Sequence, residues 1–181
     1  MDSIYTDGTY LARNPAWHSA DSGWKADRVA RILERHGIVP KTVCEVGCGA
    51  GGVIAGVAQR WPGARCVDDV SPHAWALSSR KSAHGLEYRL GDALAEAERF
   101  DVALAIDVVE HVEDSPGFLR RLRPKAAHTV FHIPPELSAT ELGRYGWKSR
   151  LLNGPRRALF AIDPDAAARL LGGYSVLVLA A

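Results

Sequence analysis

One run of eight residues, Glu45-Val46-Gly47-Cys48-Gly49-Ala50-Gly51-Gly52, constrains this chain more than any other feature. It leaves a β-rich stretch, TVCEV (42–46), and leads into a helical one, VIAGVAQRW (53–61), closed by Pro62-Gly63. Glycines at such a junction let the backbone turn sharply and approach a ligand with no Cβ in the way. The helix start also offers N–H groups that have no partner inside the helix. Gly47, Gly49 and Gly52 satisfy the dinucleotide-binding spacing as well, so the turn by itself does not choose its ligand.

The same strand–turn–helix unit recurs along the chain. Further strands are predicted at 65–70, 86–90, 100–107, 129–133 and 174–180. A first helix is predicted from Asp21 or Ser22, either of which can cap it, to Gly37. Ser71-Pro72, Ser115-Pro116 and Asp163-Pro164 each pair a cap with proline at the first helical position, predicting helices to about Ala83, Leu122 and Leu171. This alternation predicts an α/β fold: a three-layer α/β/α Rossmann-like sheet, mostly parallel, with FDVALAID (100–107) buried at its centre. The carboxyl ends of all strands then share one edge, where such sheets bind ligands. Residues 1–181 read as a single domain. Within it, 1–37 form an N-terminal cap and helix, and 134–155, rich in proline and glycine, form a long substrate loop; Arg144, Lys148, Arg150, Arg156 and Arg157 make a basic patch there.

Composition narrows the class. The chain has 181 residues, 47% hydrophobic and 24% charged, with a net charge of +1. That is the profile of an ordinary globular domain. No apolar run approaches the ~18 residues of a membrane helix, and the polar, acidic start is unlike a secretory signal. Three cysteines without a paired framework suit a reducing compartment, so a cytoplasmic location and no membrane partner are expected. Near-neutral charge predicts no nucleic-acid partner.

Acids separate the remaining readings. Glu45, Asp69, Asp92 and Asp107 close four consecutive predicted strands and so fall on one edge. Asp69, with Asp68 as its competitor, sits where a carboxylate takes both ribose hydroxyls. A pyrophosphate would be repelled by such a row, whereas a ligand with a sugar, an amine and a positive centre would be attracted. S-adenosylmethionine has that profile.

The segment from Val43 to Leu122 carries EVGCGAGG, VDDVSPHA, GDAL and FDVALAIDVVEHVEDSPGFLRRLR. With these pieces it resembles class I S-adenosylmethionine-dependent methyltransferases. The flanks YLARNPAWHSADSGWKADRV and TVFHIPPELS are similar to those of a small-molecule branch that opens with N-P-x-W-H-x-x-D-S-x-W-K-A. The resemblance implies methyl transfer to an oxygen or nitrogen of a small-molecule acceptor, with S-adenosylhomocysteine as product. It implies that Glu45, Gly47, Gly49 and Gly51 line the methionine and ribose. Asp69 would hold the ribose hydroxyls, Val70 lie beside adenine, Asp92 and the Ala93 backbone meet the adenine amine, and Asp107 sit near the methionine ammonium. The sequence departs from the branch in Pro-Pro-Glu-Leu-Ser (134–138) and in RRALFAIDP (156–164), which replaces a Gly-His-x-His-x-Phe-Phe stretch. It also ends after the expected sixth strand, so the antiparallel seventh is expected to be missing, and a homodimer is one way to cover the exposed edge.

Methyl transfer is an in-line displacement, so positioning dominates, and a protonated acceptor also needs a base. His111 is the first candidate for that base, His132 and Glu136 the second, and His18 the third. Tyr10, Trp17, His18, Trp24 and Lys25 form an aromatic, basic opening segment that either folds over the ligand or pins the first helix to the sheet. No metal site is expected, and Cys44 and Cys48 read as packing residues. Competing readings are cyclisation of S-adenosylmethionine, nucleic-acid methylation without the expected Pro-Pro-aromatic clamp, and a nicotinamide reductase lacking a catalytic Tyr/Lys pair.

Overall fold

A computed structural model describes residues 3–17, 19–62, 66–81, 86–132 and 175–178; at 3, 66–68 and 175–178 it describes the backbone. The loop at 134–155, Glu136, the helix expected from Asp163 and His18 lie outside the described residues.

The elements are α1 (Thr9–Arg13), α2 (Ser22–Arg35), β1 (Val43–Val46), α3 (Gly52–Arg60), β2 (Cys66–Asp69), α4 (Pro72–Ser78), β3 (Glu87–Leu90), β4 (Phe100–Ile106), α5 (Ser115–Leu122), β5 (Ala126–His132) and β6 (Ser175–Val178). The strands form one sheet in the order β3-β2-β1-β4-β5-β6. Every pairing among the described residues is parallel. The order reverses between β1 and β4, the switch point at which open α/β sheets bind ligands.

Alternation along the strands divides the core in two. Val43, Val102, Leu104, Ile106 and Val130 face Val29 and Leu33 of α2 and Ile54 and Val57 of α3. Cys44, Ala103, Ala105 and Phe131 face Phe118, Leu119 and Leu122 of α5. Helices therefore cover both faces, and β4, paired on both edges, lies buried at the centre as its apolar run predicts. Cys44 and Cys48 are packed one into each half of the core. No described helix is long and apolar enough to cross a membrane.

Local chemistry explains the boundaries. Ser71 caps α4 by accepting from the Ala74 N–H at 3.3 Å, with Pro72 beginning the helix. Gly37, at φ +66°, follows α2, and the Ile38 N–H reaches back to the Leu33 carbonyl at 2.9 Å. Two expected caps are different. At α5 the cap is Asp114 rather than Ser115: its Oδ1 accepts from the Gly117 N–H at 2.9 Å, while Ser115 Oγ donates to the carbonyls of Val109 and Val112. At α2 Asp21 occupies the cap position without a side-chain cap bond, because its carboxylate is paired with Lys25 at 2.7 Å.

Candidate cofactor and active site

The carboxyl edge of the sheet is built around the glycine turn. Gly47, Gly49 and Gly51 all have positive φ and all are closely packed: a Cβ on Gly47 would lie 2.8 Å from Val108 Cγ2. A Cβ on Gly49 would lie 2.6 Å from Trp17 Cδ1; one on Gly51 would lie 2.5 Å from Tyr88 Cε1 and 2.9 Å from Ser78 Cβ. The resemblance assigns this space to the methionine and ribose of a ligand. Part of it is taken by the chain's own aromatic rings instead.

Glu45 lies beneath the turn, not on its open side. It is 2% exposed, and its Oε2 accepts from the Ile54 N–H at 3.0 Å, tying β1 to the first turn of α3. Burial raises its pKa to about 8, against the opposing effect of the Ile54 hydrogen bond. Asp69, 7% exposed, closes β2. Its Oδ2 accepts from Gly49 N–H and its Oδ1 from Ser71 N–H, both at 2.8 Å. Burial raises this carboxyl too, and the Ser71 and Gly49 hydrogen bonds oppose it. Each oxygen retains acceptor capacity beyond its one N–H, so Asp69 can take a sugar hydroxyl while bracing the turn. Val70 follows it, partly buried.

Asp92 begins the turn after β3. Its Oδ1 accepts from Leu94 N–H at 2.9 Å, and its Oδ2 pairs with Arg121 of α5 at 2.6 Å. Ala93 beside it is buried.

Asp107, directly after β4, has φ +55°, a left-handed conformation that a non-glycine residue adopts at a cost of order 1–3 kcal/mol. Its backbone N–H donates to the His132 carbonyl at 2.9 Å. Its Oδ1 meets His132 Nδ1, and its Oδ2 accepts from Lys25 Nζ at 2.5 Å. Lys25 in turn reaches Asp21 at 2.7 Å. The result is a chain of alternating groups, Asp21–Lys25–Asp107–His132, drawn from the start of α2 and the ends of β4 and β5. Lys25 and His132 are 6% and 5% exposed. Burial pushes Lys25 down, but the hydrogen bonds to Asp107 and Asp21 outweigh it and its pKa rises. Burial likewise pushes Asp107 up, and the bonds from His132 and Lys25 outweigh it and hold the carboxyl low.

The four acids therefore do close successive strands on one edge, but they are not an open negative rim. Burial favours the neutral form of Glu45, Arg121 offsets Asp92, and Lys25 and His132 engage Asp107. Asp107 does not stand free toward a ligand's ammonium. The sequence missed these pairings because they join residues 29, 82 and 25 positions apart.

The opening segment crosses this edge. Ser71 Oγ donates to the Tyr5 carbonyl at 2.6 Å. The rings of Tyr5 and Tyr10 are 4.7 Å apart and those of Tyr10 and Trp17 4.9 Å, while Tyr5 meets His111 edge-on at 5.7 Å. Trp17 thus lies against Gly49 of the turn, and Tyr10 against Trp17. Burial raises the Tyr10 hydroxyl's pKa, with Asp107 and Glu110 adding to the effect. Trp24 is different: 42% exposed, it carries Arg28 at 5.2 Å from its ring and meets His132 edge-on at 6.0 Å. His111 is exposed on the short 3-10 turn Val109–His111, whereas His132 is held inside. No cluster of three or more potential ligands for a metal occurs among the described residues.

A parallel sheet with this order, a glycine turn at its switch point and a buried acid closing the second strand together define a Rossmann-like doubly wound fold. The family model described as a methyltransferase domain matches residues 16–162, and the chain belongs to that family. It is 38% identical over 99 residues to the ubiquinone biosynthesis O-methyltransferase of Pseudomonas fluorescens, covering 51% of this chain and 43% of that protein. It is 33% identical over 112 residues to norajmaline N-methyltransferase of Rauvolfia serpentina, covering 57% and 38%. The chain thus spans about two-fifths of the length of these relatives. Among solved structures, magnesium protoporphyrin IX methyltransferase of Synechocystis PCC 6803 with bound SAH superposes with a TM-score of 0.61 at 20% identity, over 94% of this chain and 85% of that one. The N-methyltransferase NodS of Bradyrhizobium japonicum WM9, in complex with S-adenosyl-L-homocysteine, gives 0.54 at 22% identity, over 72% of each. At these identities the two structures attest the fold.

Proposed function

We propose that this chain transfers a methyl group from S-adenosylmethionine to an oxygen or nitrogen of a small-molecule acceptor. The observation that carries the reading is Asp69: a buried carboxylate at the end of β2, fixed by the Gly49 and Ser71 N–H groups, with spare acceptor capacity. That is the chemistry needed to hold a ribose diol. The residues present suit the rest of the nucleoside. Val70 and the buried Ala93 supply apolar surface next to polar Asp92, and the Tyr10–Trp17 pair brings aromatic faces over the turn, which suit a sulfonium or an adenine. When bound, the cofactor supplies an electrophilic methyl. The chain's own residues bind the nucleoside through Asp69, exclude water with the aromatic cap, and hold the acceptor in line with that methyl. The relatives' names, a ubiquinone biosynthesis O-methyltransferase and a norajmaline N-methyltransferase, favour a small-molecule acceptor here.

Product analysis tests this. Incubating the protein with S-adenosylmethionine and a metabolite extract of the native host should yield S-adenosylhomocysteine and a methylated metabolite by mass spectrometry. Methylthioadenosine in place of S-adenosylhomocysteine would replace methyl transfer with cyclisation of the cofactor's own side chain.

A further inference from the structure

Beyond the fold of its family, this chain holds His132 in a particular way. The ring is buried, and its Nδ1 is engaged by Asp107 Oδ1. The two residues are joined a second time by the backbone bond from Asp107 N–H to the His132 carbonyl. Asp107 has a left-handed φ of +55° at this double attachment. Its other oxygen is anchored by Lys25, and Lys25 by Asp21. A carboxylate can only accept, so the neutral imidazole must carry its proton on Nδ1. That leaves Nε2 as the basic nitrogen. A carboxylate that fixes one nitrogen also stabilises the imidazolium formed when the other takes a proton.

Such an arrangement has a use in methyl transfer when the acceptor is a hydroxyl. A neutral amine attacks with its own lone pair and can lose its proton afterwards, whereas an alcohol or phenol is a weak nucleophile until its proton begins to leave. Resting on the proposed methyl transfer, we propose that His132 is the general base for a hydroxyl acceptor, with Asp107 and Lys25 as positioning residues. The acceptor oxygen forms the new C–O bond with its lone pair as the C–S bond breaks and its electron pair stays on sulfur. The hydroxyl proton passes to His132 Nε2, and the imidazolium afterwards returns it to water. The step is assigned to His132 in place of His111, which is exposed and meets Tyr5 edge-on.

The test has a readout independent of turnover. Full-length protein labelled with 15N-histidine is examined by long-range 1H–15N correlation at alkaline pH, with His132 assigned by its loss in His132→Gln. Wild type should show a ring protonated on Nδ1 and bare on Nε2. In Asp107→Asn, whose amide can donate, that preference should weaken or invert. A wild-type ring protonated on Nε2, or on both nitrogens at alkaline pH, would overturn the proposal. In parallel, S-adenosylmethionine with a 13C methyl and host extract should give a methoxyl carbon signal, lowered about 10²–10⁴-fold in rate by His132→Gln. An N-methyl product, or an unchanged rate, would also overturn it. Failure of the wild type to bind S-adenosylmethionine in calorimetry would instead remove the methyl-transfer reading, leaving the tautomer result standing.

Discussion

Glu45 shows how far a single side chain can depart from its free chemistry. The folded protein holds its carboxyl protonated up to about pH 8, whereas the unfolded chain ionises it near 4.5. Between those values the folded state binds more protons, so the stability contributed by this group is fully present below pH 4.5 and is lost as pH rises through 8. Chemical denaturation at a series of pH values should show stability falling across that window, by up to roughly 5 kcal/mol from this residue. Glu45→Gln, which still accepts from Ile54 N–H, should flatten the slope; an unaltered slope would mean the carboxylate is ionised in the fold. Asp69 poses a different question. Asp69→Ala should weaken S-adenosylmethionine binding by about 1–3 kcal/mol, the scale of hydrogen bonds to a charged acceptor, read by calorimetry. An unchanged dissociation constant would move the ribose contact to Asp68. Residue identities here were legible in the sequence, since Glu45, Asp69, Asp92 and Asp107 stand at the strand ends it predicts. Their charge states were not, because Arg121, Lys25 and His132 come from distant segments.

Among the elements, the glycine turn and its neighbours carry the most specific packing. Gly51→Ala places a Cβ at φ +69° against Tyr88 and Ser78. The left-handed backbone alone costs about 1–2 kcal/mol for an L-residue, so thermal melting should drop by several degrees at about 2–4 °C per kcal/mol. An unshifted melting temperature would mean the turn is looser than described. Asp114→Ala should remove the α5 cap at a cost of about 1 kcal/mol, while Ser115→Ala tests the rival cap; a larger effect at Ser115 would restore the sequence reading. Strand and helix positions were readable to within a residue or two at β1, β2 and α5, where a β-branched run or a cap-plus-proline pair marked them, whereas α4 begins as predicted at Pro72 but ends at Ser78, short of Ala83. β5 begins three residues earlier than predicted, at Ala126. Ala-Ala-His has little strand character of its own, and pairing with β4 from Phe100↔Ala126 onward extends it. The short helix Thr9–Arg13 left no readable period, since five residues are too few to show one.

For the molecule as a whole, alternating elements sufficed to predict a parallel sheet covered on both faces, because crossover handedness leaves few alternatives. The electrostatic reading of its binding edge needed correction. On the proposed reading, its ligand is selected less by a bare row of negative charge than by one braced carboxylate, Asp69, by the Tyr10–Trp17 rings, and by a Lys25–Asp107–His132 group whose charges offset one another. Calorimetric titration of the wild-type protein with S-adenosylmethionine, and separately with NADH, tests that selection most directly. Saturable binding of S-adenosylmethionine without binding of NADH is the predicted result. Heat from NADH alone, or from neither, would contradict it.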